Sequence, residues 1–196
     1  YVEGAQRIEG VTIDELWWKA PPEVRQDQGD HLMLSSQITL VRDRTDSRLR
    51  PSRGDRTTFS YEQFYGSHTF GKAEGEYKIY HTLYTDPIGR KHVLASRVFA
   101  GQITGGRAPV FERYYAGGQD SIRGFEYRGV GPRINGNPTG GEVAWRGSLE
   151  YEFPIAADSL AGVVFADFGA VEPTFDDLDF DDTRLGVGFG IRLKIP

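Results

Sequence analysis

Apolar and polar residues alternate with a period of two along much of the chain, most clearly near its C-terminus. From position 184 to 195, every odd position is apolar and every even position holds glycine, arginine or lysine. Successive side chains of a β-strand point to opposite faces, so this segment predicts a strand with one apolar face. Glycine weakens a strand unless another part of the chain approaches its backbone closely. The alternating Gly186, Gly188 and Gly190 therefore predict that something packs on the polar face.

Seven further segments predict strands. The alternation is clean in residues 57–65, 73–84 and 144–154, and weaker in residues 6–13, 32–43, 92–102 and 160–168. In the segment 92–102, Arg97 shares a face with Phe99 and Ile103, so the pattern does not assign its two faces. The total is about eight antiparallel strands of ~9–12 residues, the length that crosses a bilayer when the strand is tilted.

The connections between these strands differ in length. Short turns are predicted at residues 45–53, 85–90 and 154–159, and long loops at residues 14–31, 103–141 and 171–182. Outer-membrane barrels show this asymmetry, with short periplasmic turns and long external loops. The connection 65–72 is an exception, because it is short on the predicted external side. In the first long loop, two consecutive prolines predict the start of a short helix.

Composition supports an all-β chain. The 196 residues include 25 glycines and 13% aromatic residues, and both favour strands over helices. The net charge of −5 argues against a nucleic-acid-binding protein, and the absence of cysteine excludes disulfides and thiolate metal sites. The mean hydropathy of −0.47 is compatible with a membrane barrel, because only every second strand residue faces lipid.

A glycine-rich stretch, YAGGQDSIRGFEYRGVGPR at residues 115–133, predicts a long loop that folds back closely on another part of the molecule. Its central arginine, Arg123, is available to anchor it. This stretch resembles the signature of the sixth extracellular loop in the BamA family, the bacterial proteins that assemble outer-membrane β-barrels. The residues that carry the motif are Gly117, Gly118, Ser121, Ile122, Arg123, Gly124, Phe125, Gly131 and Pro132.

A turn motif matches the same family. Residues 41–56 resemble its strand–turn–strand segment, with an Asp near the strand end and a Pro and a Gly about three residues apart. Asp43, Pro51 and Gly54 fill these places.

Two acidic residues match the family's lumen wall. GSLEYEFP carries Glu150 and VVFADFGAV carries Asp167, where the family has inward-facing acidic residues. Alternation places Glu150 on a polar face, whereas Asp167 shares its face with Val163 and Phe165. The inward position of Asp167 is therefore implied by the resemblance alone.

The resemblance implies an antiparallel transmembrane β-barrel, with about eight of sixteen strands in residues 1–196 and the long loop inserted in the lumen. We expect one partial barrel domain, a fragment without the N-terminal periplasmic repeats, the first strands and the last strands. In such a barrel Arg123 would form charge-assisted hydrogen bonds with Glu150 and Asp167.

The function that the resemblance implies is the folding and insertion of other β-barrels at the outer membrane. The expected partners are unfolded outer-membrane proteins, accessory outer-membrane lipoproteins and the lipid bilayer, with no nucleic acid. No catalytic residue, metal site or cofactor is expected, and the protein is not expected to be an enzyme.

Three alternatives stay open. Two-partner secretion transporters and translocation-and-assembly proteins share the Arg-Gly-aromatic loop, and a passive porin-like channel would also have polar inner faces. An enzyme is the third. Glu150 and Glu152 have the spacing of paired carboxylates in a glycosidase, which is equally that of any polar strand face. The four histidines, His31, His68, His81 and His92, show no metal-ligand spacing.

Two local features add little to the function. The acidic run FDDLDFDD at residues 175–182 lacks the glycine and glutamate of an EF-hand, so a solvated external loop is expected. Trp17 and Trp18 fit either a membrane interface or a small cluster that caps the loop 14–31, and the sequence does not separate these.

Overall fold

The computed structural model describes residues 20–156 and 159–193, which form an antiparallel sheet of seven strands. In chain order the elements are helix α1 (Pro22–Gln26), β1 (Met33–Asp43), β2 (Gly54–Gly66), β3 (Phe70–Thr85), β4 (Lys91–Thr104), β5 (Arg133–Ile134), β6 (Asn137–Pro138), β7 (Val143–Ala156), β8 (Leu160–Glu172), a 3-10 turn (Phe180–Asp182) and β9 (Arg184–Leu193).

The order of strands in the sheet follows the chain, β1-β2-β3-β4-β7-β8-β9, and β5 and β6 pair as a separate small hairpin. Every neighbouring pair in the sheet is antiparallel. Among the described residues the sheet is open, with β1 and β9 at its edges. The all-β antiparallel fold class is thereby confirmed.

Seven of the predicted strands and the short helix at the prolines are confirmed. The strand predicted at residues 6–13 lies outside the described residues, as do Trp17 and Trp18. Across residues 20–156 and 159–193, no helix is long and apolar enough to cross a membrane.

One face of the sheet is apolar and open. At β9 the odd-numbered side chains, predicted to share an apolar face, are 62% to 88% exposed. The register places Leu34, Ile38 and Leu40 of β1 on the same face, and they are equally open. A continuous exposed apolar band on strands of this length is what a lipid-facing barrel wall presents.

The opposite face, called the inner face below, carries the charged side chains and is covered by the long connection between β4 and β7. The buried core lies between this connection and the sheet, and its members are Phe64, Phe70, Ile103, Ala108, Tyr114, Ala116, Ile122, Val130, Ala144 and Val171. The structure therefore packs its core on the inner face, as the alternating glycines of β9 predict.

The turn between β1 and β2 contains the predicted turn residues. The carboxylate of Asp43 accepts a hydrogen bond from the Thr45 backbone at 3.0 Å. Gly54 has a φ of +100°, and a Cβ there would collide with the Arg44 carbonyl, so only glycine fits without strain. Pro51 lines the cavity on the inner face of the sheet.

Asp46, which the sequence did not single out, also holds this turn together. It accepts hydrogen bonds from the Ser52 hydroxyl and from the backbone N–H of Ser52. These two contacts hold the pKa of the Asp46 carboxyl well below its ordinary value. Asp46 therefore stays ionised at a lower pH than an ordinary aspartate does.

Candidate functional site

The connection between β4 and β7 is an ordered ribbon that crosses the inner face. Tyr114 and Gly141 exchange backbone hydrogen bonds of 2.9 and 3.0 Å, and Val130 donates to the Ala116 carbonyl at 2.9 Å. These bonds tie the descending limb of the loop, which contains Tyr114 and Ala116, to its ascending limb, which contains Val130 and Gly141. Ile122, which forms the tip of the loop together with Arg123, is fully buried. The loop is thus packed against the sheet along its length.

Arg123 lies at the centre of the contact between the loop tip and the sheet. Its Nε and Nη2 donate to the two carboxylate oxygens of Asp167 at 2.5 and 2.8 Å, a bidentate pair. Its Nη1 donates to Glu150 at 3.1 Å. The backbone N–H of Arg123 donates to Asp167 as well, at 3.1 Å. The structure therefore brings together the three residues that the resemblance pairs.

Asp167 is held on its far side by the strand next to it. The Ser148 hydroxyl donates to Asp167 at 2.6 Å, and only 1% of the Asp167 side chain is exposed. A carboxylate this deeply buried is costly to leave without its cation. The buried Asp167 carboxylate of the wall therefore needs the Arg123 guanidinium of the loop tip.

Phe165 is a part of this site that the sequence did not predict. The guanidinium carbon of Arg123 lies 3.5 Å from the centroid of the Phe165 ring, a cation–π contact. Phe165 and Asp167 share the inner face of β8. Phe165 made the orientation of Asp167 ambiguous in the sequence. In the structure, Arg123 stacks on the ring of Phe165.

Arg192 on β9 is a second cation at the wall that the sequence did not predict. It binds Glu150 at 2.6 Å and Glu152 at 2.6 Å. Glu150 is thus shared between an arginine of the loop and an arginine of the wall. The alternation had placed Arg192 on the polar face, but nothing in the sequence distinguished it from other charges there.

Two of the three alternating glycines of β9 lie beneath this site. A Cβ on Gly186 would collide with the carbonyl oxygen of Arg123, and one on Gly188 would lie 2.6 Å from the Phe165 ring. A Cβ on Gly190 would have no atom within 4 Å. The loop therefore approaches closely at Gly186, a ring of the neighbouring strand does so at Gly188, and neither does at Gly190.

The remaining motif residues shape the loop. The backbone N–H of Gly117 donates to the Ser121 hydroxyl at 2.7 Å, and the Gly117 φ of +99° lies in the left-handed region that favours glycine. Phe125 packs against the buried core. Gly118, Gly124 and Gly131 also have positive φ, and the Pro132 carbonyl accepts a hydrogen bond from the Thr139 backbone.

A third contact, also missed in the sequence, joins the loop to the segment before β1. The Asp27 carboxylate accepts hydrogen bonds from Arg107 Nη1 and from the Val110 backbone N–H, both at 2.7 Å. Its side chain is 1% exposed. Asp27 directly follows α1, so the short helix presents its last residues to the start of the loop.

We expect Asp27→Ala to loosen the start of the loop. The substitution leaves the Val110 N–H and the Arg107 guanidinium without their acceptor, at a cost of about 1–3 kcal/mol. Limited proteolysis of the folded full-length protein should then cut faster within residues 105–112. Asp30→Ala is the control, because Asp30 is an exposed acid three residues away. Equal cleavage of the two variants would contradict this role for Asp27.

Two of the four histidines singled out in the sequence contact each other, but the described residues show no site that they share with other candidate ligands. His31 and His68 have ring centroids 5.0 Å apart, whereas His92 contacts Tyr151. Within the described residues, no three His, Cys, Asp or Glu side chains come together as a metal site. The acidic run is held locally, since Asp179 caps the 3-10 turn by accepting from the Asp181 backbone.

A cavity of about 860 Å³, with both charged and apolar residues in its lining, adjoins the Arg123 site on the inner face. Its lining includes Arg97, Arg123, Glu150, Glu152 and Arg192. Arg97 pairs with Glu76 at 2.5 Å, as Arg192 pairs with Glu150. The wall of this cavity therefore carries two separate groups of ion pairs, and Arg123 of the loop belongs to one of them.

Comparison with known proteins matches this arrangement to one family. Residues 8–196 match the model of the Omp85 superfamily domain. The chain is 32% identical over 203 residues, 97% of its length, to the outer membrane protein assembly factor BamA of Nitratidesulfovibrio vulgaris. It is 28% identical, over 67% of its length, to the sorting and assembly machinery component 50 homologs of Mus musculus and Homo sapiens.

A solved structure shares the fold. The crystal structure of BamA from Haemophilus ducreyi lacking POTRA domains 1-3 superposes with a TM-score of 0.69 over 83% of this chain, at 18% identity. The chain covers 36% of that structure, and it spans 24% and 28% of the BamA and component 50 relatives. The chain therefore corresponds to only part of each of these proteins.

Proposed function

Because the chain belongs to the Omp85 superfamily, we propose that it is part of the barrel of an outer-membrane protein that folds and inserts other β-barrels. It is an integral outer-membrane segment. The observation that carries the proposal is the loop tip fixed to the inner wall by the bidentate pair between Arg123 and Asp167 and by the bond to Glu150.

The proposed role of this contact is structural. A loop that binds β7 and β8 through one half-buried arginine holds these strands in a defined relation, and so sets the shape of the barrel. The work of assembly would come from the folding of the substrate and from local weakening of the bilayer. The proposal needs no cofactor, bond-forming residue or metal, and in it the protein is not an enzyme.

The proposed domain is a partial barrel completed by further strands. Edge strands with unpaired backbone groups are not tolerated in hydrocarbon, so β1 and β9 both need partners. The proposed partners of the whole protein are unfolded outer-membrane proteins, accessory outer-membrane lipoproteins and the lipid bilayer. The relatives named above as assembly factors support this choice over a secretion transporter of the same superfamily.

Reconstitution of the full-length protein in liposomes tests the proposal. We expect an unfolded outer-membrane protein to reach its folded, heat-resistant form faster with these liposomes than with empty ones. Liposomes that contain an ordinary porin are the matched control, because they also carry a barrel and its lipid defects. Steady ion conductance without any acceleration would favour the passive channel. Export of a soluble protein without acceleration would favour the secretion transporter.

A further inference from the structure

The loop touches the inner face at a second place, on β3 and β4, away from the strands that hold Arg123. Lys72 of β3 donates from Nζ to the backbone carbonyl of Glu112 at 3.1 Å. The same Nζ lies 4.9 Å from the centroid of the Tyr114 ring. Both contacts are to the descending limb of the loop, where it enters the inner face.

The Tyr114 ring rests directly on the backbone of β4. A Cβ on Gly101 would lie 2.6 Å from both Cζ and Oη of Tyr114. Tyr114 is 7% exposed, and Phe99 of β4 meets it edge-on with ring centroids 6.1 Å apart. Only a residue without a side chain at position 101 lets the ring approach this closely. Gly101 therefore leaves space for Tyr114, as Gly186 leaves space for the backbone of Arg123.

The charges at this second contact also join the loop to the wall. Lys72 Nζ lies 3.9 Å from the Glu112 carboxylate on the loop and 4.0 Å from the Glu74 carboxylate on β3. The Lys72 side chain is only 19% exposed, so solvent screens these interactions incompletely. Lys72 thus neutralises one carboxylate of the loop and one of β3. Without Lys72, these two negative charges would repel each other.

We propose that Lys72, Gly101 and Tyr114 form a root anchor, which works together with the tip anchor formed by Arg123, Glu150 and Asp167. The root anchor lies on β3 and β4, and the tip anchor on β7 and β8. The loop is then a brace that spans the inner face between two parts of the sheet. Lys72 is a positioning residue in this arrangement. The inference rests on the proposed function, because it assigns the brace to the barrel that carries out assembly.

The connection between the two anchors is short, and backbone hydrogen bonds tie it to the rest of the loop. Tyr114 is fixed to the ascending limb by its pair of hydrogen bonds with Gly141, and Ala116 is fixed by its bond with Val130. Arg123 follows within the same ribbon. A ribbon held at both places has one position on the sheet, whereas a ribbon held at the tip alone can pivot. Loosening the root should therefore lower the fraction of molecules in which the tip is seated.

The absence of cysteine from the chain allows a direct measurement of tip seating. Ile122 is fully buried beside Arg123, so Ile122→Cys in the full-length protein, with any other cysteine replaced, reports tip release by its rate of alkylation. Adding Lys72→Glu should raise that rate roughly tenfold, as expected for loss of a charge-assisted hydrogen bond. Adding Glu112→Lys to that variant should bring the rate part of the way back.

Two matched controls separate the root anchor from general damage to β3 and β4. Lys78→Glu reverses a lysine on the same face of β3 whose ion pair is with Glu76, and should leave the alkylation rate near that of the parent. Gly101→Ala should raise the rate, whereas Gly75→Ala should not, because a Cβ on Gly75 has no atom within 4 Å. The glycine pair gives an answer even where Lys72→Glu does not fold.

The outcomes distinguish the brace from the proposed function. Faster alkylation in Lys72→Glu and Gly101→Ala, with slower assembly of a barrel substrate in liposomes, would support both. Faster alkylation with unchanged assembly would support the brace and overturn its part in assembly. An unchanged alkylation rate in both variants would overturn the brace, whatever the assembly assay shows.

Discussion

Arg123→Glu is expected to destroy the heat-resistant folded form of the full-length protein and most of its assembly activity. The new carboxylate would face Asp167 and Glu150 across the distances that the guanidinium now bridges. Breaking a buried ion pair from one side costs roughly 3–5 kcal/mol. The lower end applies here, because 24% of the Arg123 side chain is exposed, where it lines the cavity on the inner face. Gel mobility without boiling measures the folded form, and barrel assembly in liposomes measures the activity.

Charge exchange tests whether the contact itself is responsible. Adding Asp167→Arg or Glu150→Arg to Arg123→Glu should recover part of the folded form. Arg123→Lys should fall between, since lysine keeps the charge but cannot form the bidentate pair. Arg133→Glu is the matched control, because Arg133 is an exposed arginine of the same loop whose side chain donates to the Gly136 carbonyl instead of to the wall. A harmless Arg123→Glu would make the motif match superficial and reopen the porin interpretation.

The strands and their lipid-facing sides follow from the sequence because a membrane barrel leaves two signals in it. Period two assigns the faces, and the exposed side must be apolar along its whole length. β9 is the clearest example, since its outward positions are all apolar. In β4 the pattern fails because Arg97, Phe99 and Ile103 share the inner face. Ile103 belongs to the core beneath the loop, whereas Arg97 lies beyond it and pairs with Glu76.

The covering loop also explains why Asp167 could not be oriented from the pattern. An inner face is polar only where water reaches it, and apolar where another segment packs on it. Val163 is buried and Phe165 supports the Arg123 guanidinium, so both are apolar on the inner side of β8. Only the resemblance placed Asp167 inward. The alternation of apolar and polar residues fails to assign the faces of a strand where the loop packs on the inner face, and the site lies there.

The remaining anchors were beyond the sequence for a different reason. Asp27 and Arg107 are 80 residues apart, and Lys72 and Glu112 are 40 apart. Such pairs depend on how the loop lies against the strands, which no local pattern records. Lys72 and Arg192 also look like any other charge on a polar strand face. Gly101 is the one local signal among them, a glycine inside a strand, and it marks the close approach of Tyr114.

Gly186→Ala should lower stability whereas Gly190→Ala should not, although the two glycines lie four residues apart on the same face of β9. At Gly186 the added methyl group would collide with the Arg123 carbonyl. Overpacking of this kind typically costs 1–3 kcal/mol, so the folded form should melt at a lower temperature. At Gly190 the methyl group meets nothing. There the alanine should be neutral or stabilising by up to about 0.5–1 kcal/mol, because it restricts the unfolded chain.

The comparison isolates the loop, because strand, face, chemical change and distance from the sheet edge are closely matched. Heating the full-length protein and following the loss of its folded gel band gives both melting temperatures in one experiment. Gly188→Ala should resemble Gly186→Ala, since its methyl group would lie 2.6 Å from the Phe165 ring that supports Arg123. If all three variants melt alike, the glycines serve the bending of the strand instead. The inference from alternating glycines to a packed loop would then be wrong, even with Arg123 seated as described.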